Sequence, residues 1–214
     1  MRLFKFVKVD FIRCKNYWFF LLFPLLALML MLKDADSNAL FGCMYCLFGG
    51  IILSSTPFSL CSQANSGFLK MLPAQEGDEI RGHFLFSFCV LMIFLTFGLI
   101  TIQAAHIYHP AFSILQGNQI ILIFSVSLLF TAIQNLVLCV FRTNSVQAMQ
   151  LLRMVPAFLF FFGSTLLADS FPELFRSFVG WFQLRNVCIL LLLSILLYCI
   201  VAQISAMFAS SRDY

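Results

Sequence analysis

Long apolar segments alternate with short polar ones along most of this chain. A transmembrane helix needs about 20 mainly apolar residues, because the hydrocarbon core of a bilayer is about 30 Å thick. Hydrophobic residues make up 62% of the sequence and charged residues only 10%, whereas a soluble domain carries about 25% charged residues. We therefore predict an all-α, polytopic membrane protein with a single transmembrane domain over residues 1–214. Its six predicted transmembrane helices span residues 17–32, 41–61, 84–105, 119–141, 154–171 and 187–209.

Residues 1–16 predict a helix that lies in the membrane interface. On a helical wheel, apolar residues occupy one face and basic residues the other, which is typical of an amphipathic interface helix. The predicted membrane-facing residues are Leu3, Phe4, Val7 and Phe11. Both a plain topogenic anchor and a docking helix fit this pattern.

The distribution of basic residues predicts the orientation in the membrane. Six helices place both termini on one side, and cytoplasmic segments carry an excess of Lys and Arg. Ten basic residues fall on the side of the termini: Arg2, Lys5, Lys8, Arg13, Lys15, Lys70, Arg81, Arg142, Arg153 and Arg212. Three fall on the other side: Lys33, Arg176 and Arg185. The termini and residues 62–83 are therefore predicted to be cytoplasmic.

The sequence lacks the common catalytic motifs. It contains no G-x-x-x-x-G-K-[ST] phosphate loop, no H-E-x-x-H zinc motif and no G-x-S-x-G nucleophile motif. Secondary transporters and proton pumps usually place charged residues within their spans, and here the predicted span interiors hold almost none. We predict a passive membrane component that has no catalytic residue, metal site or cofactor of its own.

Two residue pairs keep an enzymatic alternative open. Cys43 and Cys46 form a C-x-x-C pair that suits a thiol oxidoreductase, although Cys in an apolar segment usually acts as a small hydrophobe. His106 and His109 suit a hydrolase or a metal site, although their spacing matches no structural zinc pattern. A non-catalytic immunity or accessory membrane protein is a third interpretation.

The polar interval over residues 62–83 is the best candidate for contact with a soluble partner. Residues 67–72 can form a short helix that presents apolar side chains. Pro73 disfavours helical geometry at Leu72 and suits the first turn of a following helix. The interval therefore predicts two helices joined by an elbow, and exposed apolar residues flanked by charges suit a docking surface. An ordinary solvated loop also fits.

The residues Leu72-Pro73-Ala74, followed by Glu79-Ile80, match a family pattern. They resemble the cytoplasmic coupling segment of small bacterial ABC exporter permeases of the second exporter class. The order of the amphipathic helix, the six spans and a re-entrant segment before the last span is also similar. Gln75-Glu76 departs from the pattern, in which a basic residue soon follows the proline. By this resemblance, the residues that contact the ATPase are Phe68, Leu69, Lys70, Met71, Leu72, Pro73, Glu76, Glu79 and Arg81.

The resemblance implies a half-transporter in the bacterial cytoplasmic membrane. Two permease subunits, identical or paralogous, would form the translocation path among membrane lipids. Separate ABC ATPase subunits would bind ATP and Mg²⁺, and residues 68–72 would transmit their closure. Family cargoes include amphipathic peptides, bacteriocins, drugs and lipids, and no nucleic acid is expected as a partner.

Overall fold

The computed structural model describes residues 2–33, 39–61, 76–108, 114–141, 146–173, 177 and 183–211. Across these ranges the chain is almost entirely helical and contains no strand, which confirms the predicted all-α fold class. The elements are α1 (Arg2–Arg13), a 3-10 helix (Cys14–Leu21), α2 (Leu22–Lys33), α3 (Ala39–Ser54), α4 (Thr56–Cys61), α5 (Glu76–Tyr108), α6 (Gly117–Val140), α7 (Val146–Ser170) and α8 (Leu184–Ser211).

Four stretches of the described chain are long and apolar enough to cross a membrane. They are Gly42–Leu60, Gly77–Tyr108, Gly117–Val140 and Leu184–Ser210. These stretches cover the predicted second, third, fourth and sixth spans. The predicted first span falls on the 3-10 helix and α2, and the predicted fifth span falls on α7. The total of six spans therefore stays a prediction.

Helix α5 lies at the centre of the bundle and packs against α1, α2, α3, α6 and α8. Small residues allow its close contact with α3, as is usual where packing rather than water drives helix association. A Cβ atom added at Gly50 would lie 3.0 Å from the Cβ of Phe94. Most of the large side chains on α7 and α8 whose exposure is described are apolar and exposed, as expected for lipid contact.

A break between α3 and α4 falls where the sequence predicts a kink at Pro57. Helix α3 ends at Ser54 and α4 begins at Thr56, so the proline occupies the first turn of α4, where its missing N–H is tolerated. The hydroxyls of Ser54 and Ser55 donate to the carbonyls of Ile51 and Ile52. Such local bonds compete with the regular helical ladder and bend helices.

Helix α7 begins earlier than the sequence suggested. Residues 142–153 were predicted to connect two spans, but α7 starts at Val146. The residues that follow include Ala, Met, Gln and Leu, which favour helix formation. The helix therefore begins before the predicted start of the fifth span, and the polar composition of residues 146–153 did not indicate this. As a result Arg153, expected in a connection, lies inside a helix and is only 5% exposed.

Candidate functional site

The predicted coupling segment lies partly outside the described residues. Residues 62–75, which include Phe68, Leu69, Lys70, Met71, Leu72 and Pro73, are outside them, and Glu76 is the first residue of α5. Glu79 Oε1 lies 4.0 Å from Arg13 Nη1 of α1. Arg81 Nη1 lies 3.3 Å from Asp78 Oδ1, and Arg81 Nε donates to Gln203 Oε1 of α8 at 3.1 Å. The first turns of α5 are thus tied to both α1 and α8.

A buried acid–histidine pair joins α1 to α5. Asp10 Oδ2 lies 2.6 Å from His83 Nδ1, and each residue is 1% exposed. The other ring nitrogen of His83 lies 3.6 Å from Glu79 Oε1. Sequence reasoning missed this pair, since Asp10 and His83 are 73 residues apart. The available signal was an acid on the same helical face as Val7 and Cys14.

The backbones of α1 and α5 approach each other closely beside this pair. A Cβ atom added at Gly82 would lie 2.5 Å from the Cβ of Phe6. Phe11 of α1 stacks on Trp18 and meets the edge of Phe86 of α5, with ring centroids 5.5 and 4.9 Å away. Part of the face that the sequence assigned to the membrane therefore packs on α5 instead.

The four predicted membrane-facing residues have different environments. Val7 is buried, Phe11 is half-buried, and Leu3 and Phe4 are exposed. The helix lies against the bundle through Val7, Asp10 and Cys14, which follow one another at helical spacing. Its exposed face therefore shares Leu3 and Phe4 with the face identified on the helical wheel, while Val7 and Phe11 pack towards the bundle.

The hydroxyl of Ser87 on α5 connects α3, α5 and α6 at the end of the bundle that holds the acid–histidine pair. Its Oγ lies 2.7 Å from the carbonyl oxygen of Ser54 and 2.9 Å from that of His83. Asn135 Nδ2 of α6 donates to the same oxygen at 3.0 Å. Because Ser87 is one turn from His83, the acid–histidine pair and Asn135 belong to one continuous set of polar contacts.

Arg153 of α7 lies in a second group of buried polar residues. Its Nη1 lies 3.4 Å from Thr56 Oγ1 and 3.5 Å from Ser59 Oγ, both on α4. Its guanidinium carbon lies 5.7 Å from the centre of the Tyr17 ring, in cation–π geometry. Gln134 of α6 donates to Ser55 Oγ and to the carbonyl oxygen of Arg153. We call these two groups of contacts, around Ser87 and around Arg153, the polar layer.

The polar layer is incompletely satisfied. Among the described residues, Gln134 Oε1, Asn135 Oδ1 and Arg153 Nε have no hydrogen-bond partner, and Arg153 makes no ion pair within the described chain. Each such buried group costs about 1–3 kcal/mol. In a helix that crosses a membrane, as the sequence predicts for α7, a buried charged residue marks function by default. The layer is therefore a candidate functional site rather than a simple stabilising feature.

The structure describes three of the four residues of the enzymatic alternative, Cys43, Cys46 and His106. Cys43 and Cys46 are fully buried, and both pack near Gly98, whose added Cβ would lie 3.2 Å from the Cβ of Cys46. His106 is half-exposed near the end of α5, and His109 lies outside the described residues. No group of three or more His, Cys, Asp or Glu that could hold a metal occurs among the described residues.

An apolar cavity lies on α7, in the half of the helix that follows Arg153. Its volume is about 380 Å³. Its lining residues are Phe158, Leu159, Phe162, Gly163, Leu166 and Phe171. Such a lining offers contacts to hydrocarbon or aromatic groups and no charge to bind an ion.

These features define a multi-pass α-helical membrane protein with a polar layer that joins its helices at one end. A family model described as ABC-2 family transporter protein matches residues 5–214. The chain belongs to this family and is an ABC transporter permease, as its sequence predicted. Membership implies association with ABC ATPase subunits. No curated protein and no solved structure matches the chain.

Proposed function

We propose that this chain is the membrane half of an ATP-driven exporter and that it dimerises with an identical or paralogous permease to form the translocation path. The match over residues 5–214 carries this proposal. The sequence has no phosphate-binding loop, so hydrolysis of ATP with Mg²⁺ belongs to separate ATPase subunits. Both termini lie in the cytoplasm, because the basic residues of the chain concentrate there.

Residues 62–83 form the coupling segment in this proposal, and residues 68–72 transmit ATPase closure to the membrane helices. Helix α4, which precedes this segment, and helix α5, which begins within it, support that assignment. Thr56 and Ser59 of α4 contact Arg153 of α7, and His83 of α5 pairs with Asp10 of α1. A displacement of the interval therefore acts on α1 and α7 through buried polar contacts rather than through flexible connections.

The proposed cargo is amphipathic or hydrophobic, in the range of a peptide, bacteriocin, drug or lipid. The apolar cavity on α7 supports this class, since its lining offers no charge to pair with an ionic cargo. Ion-coupled transporters usually place charged residues within their spans, whereas the six predicted spans here contain a single one, Asp169, and Arg153 lies one residue before the fifth. Phe158 and Phe162 in the cavity lining stack on each other with centroids 5.4 Å apart, which makes an aromatic wall for such a cargo.

Co-purification from the native membrane in mild detergent tests the proposal. We expect an ABC ATPase at near-stoichiometric amount with the unaltered chain. Phe68→Asp and Leu72→Asp should each lose the ATPase while the chain still inserts in the membrane. Asn65→Asp is the matched control, because it adds the same charge within the same interval outside the proposed contact.

Three outcomes would count against the proposal. A chain that purifies without any ATPase would favour the enzyme or accessory interpretation. Retention of the ATPase by Leu72→Asp with unchanged affinity would show that the coupling residues are misplaced. Loss of the ATPase from Asn65→Asp as well would show that any added charge disrupts the interval, and the named contacts would then lose their support.

A further inference from the structure

The outward face of α1 combines apolar and cationic side chains in a single stripe. Phe4, Lys8 and Ile12 follow one another at a spacing of four residues and therefore lie one above the other. Phe4 is 72% exposed and Ile12 is 58% exposed. Lys5 lies beside this stripe, and Lys15 follows it in the 3-10 helix; all three lysines are exposed. We call these five residues the α1 outer face.

The acids near α1 do not neutralise this face. Asp10 lies on the opposite side of the helix and pairs with His83. Glu79 of α5 is held by Arg13 and His83. Lys5, Lys8 and Lys15 form no ion pair within the described part of the chain, so three ammonium groups stand among exposed apolar side chains.

We propose that the α1 outer face binds anionic phospholipid headgroups. Apolar side chains such as Phe4 and Ile12 insert at the boundary between headgroups and acyl chains. Lysines extend along apolar surface and keep their charge at headgroup level, where they attract negatively charged lipids. Charge complementarity therefore selects anionic over zwitterionic lipid. This inference rests on the position of α1 in the bundle and not on the proposed coupling to an ATPase.

Energy transfer from Trp18 to labelled lipid measures the preference. Trp18 stacks on Phe11 of α1, and the chain has two tryptophans, so Trp181→Phe leaves Trp18 as the only donor. The full chain would be placed in phosphatidylcholine nanodiscs that contain equal small fractions of dansyl-phosphatidylglycerol or dansyl-phosphatidylcholine. We expect stronger transfer to the phosphatidylglycerol label, and the difference should shrink as salt is added, because ions screen the attraction.

Variants separate charge from folding. Replacing the three lysines by Gln should remove most of the preference. Each lysine removed should lower the apparent affinity for the phosphatidylglycerol label by about fivefold. Replacing them by Arg should retain it, since the charge is kept. Equal transfer to both labels in the unaltered protein would overturn the proposal. Retention of the preference by the Gln variant would also overturn it, because the lipid would then be selected elsewhere.

Discussion

The acid–histidine pair between α1 and α5 makes a sharp energetic prediction. Asp10 and His83 are each 1% exposed and lie 2.6 Å apart. Removing one partner of a buried pair costs about 3–5 kcal/mol, whereas replacing both by apolar residues of similar volume is often neutral. We therefore expect each single change, Asp10→Leu or His83→Leu, to weaken the packing of α1 on α5, which we call the docking of α1. The double variant should restore most of this docking.

The two single changes should differ in size. His83→Leu leaves Asp10 buried without the partner that the structure gives it. Asp10→Leu leaves His83 with Glu79 at 3.6 Å. Breaking a buried pair costs about 3–5 kcal/mol. We therefore expect the docking of α1 to lose about 3 kcal/mol or more in His83→Leu and less in Asp10→Leu.

The labelling rate of Cys14 reports this docking directly. Cys14 is the first residue of the 3-10 helix that follows α1 and is 0% exposed. It continues the face of α1 that meets the bundle, so a maleimide reaches it only when this end of α1 opens. A loss of 3 kcal/mol raises that rate by about a hundredfold, since about 1.4 kcal/mol is a factor of ten. Mass spectrometry of the peptide that contains Cys14 measures the rate in the full chain. The assay is run in detergent without anionic lipid, where Lys8→Leu on the exposed side of α1 is the matched control and should leave the rate unchanged.

Additivity would refute the reasoning. If the double variant loses as much docking free energy as the two single variants together, Asp10 and His83 act independently. The 2.6 Å contact between the two side chains would then not be a stabilising interaction. A faster Cys14 reaction in Lys8→Leu would instead show that any change in α1 opens it, and the labelling rate would no longer report the pair.

Of three further predictions, the first two use matched pairs of variants. Gly82→Ala should raise Cys14 labelling because its Cβ meets Phe6, whereas Gly77→Ala should not, because its nearest contact would be at 3.5 Å. Arg153→Met should leave the unfolding midpoint in detergent unchanged or higher, since it removes a buried charge, and Arg153→Ala should lower it through lost packing. Ser87→Ala should cost about 1–3 kcal/mol by leaving the side-chain N–H of Asn135 without its acceptor, a loss measured by the same unfolding assay.

The helical plan was predictable because a membrane restricts the backbone. Unpaired backbone groups are costly in hydrocarbon, so apolar segments of sufficient length must be helical. The start of α4 at Thr56, with Pro57 in its first turn, follows from the local rules that limit proline to that turn. Both features depend on residues that are close together in the sequence, so the sequence alone could indicate them.

The polar layer was not predictable in the same way. It depends on pairs such as Asp10 with His83 and Gln134 with Arg153, which distant parts of the chain bring together. Gln134 is a polar residue within the predicted fourth span, but nothing in the sequence indicates its partners. Arg153 was counted only as a basic residue of a connection. Its burial follows from the early start of α7, a boundary that composition does not fix.

The 3-10 helix between α1 and α2 can change its length by changing its helical type. It has eight residues, and such helices rarely exceed three or four. A 3-10 helix rises about 2.0 Å per residue and an α-helix about 1.5 Å. Conversion of all eight residues to α-helix would shorten the connection by about 4 Å. Helix α1 can therefore move with α5 by about 4 Å while α2 stays in place. The 3-10 helix absorbs the difference.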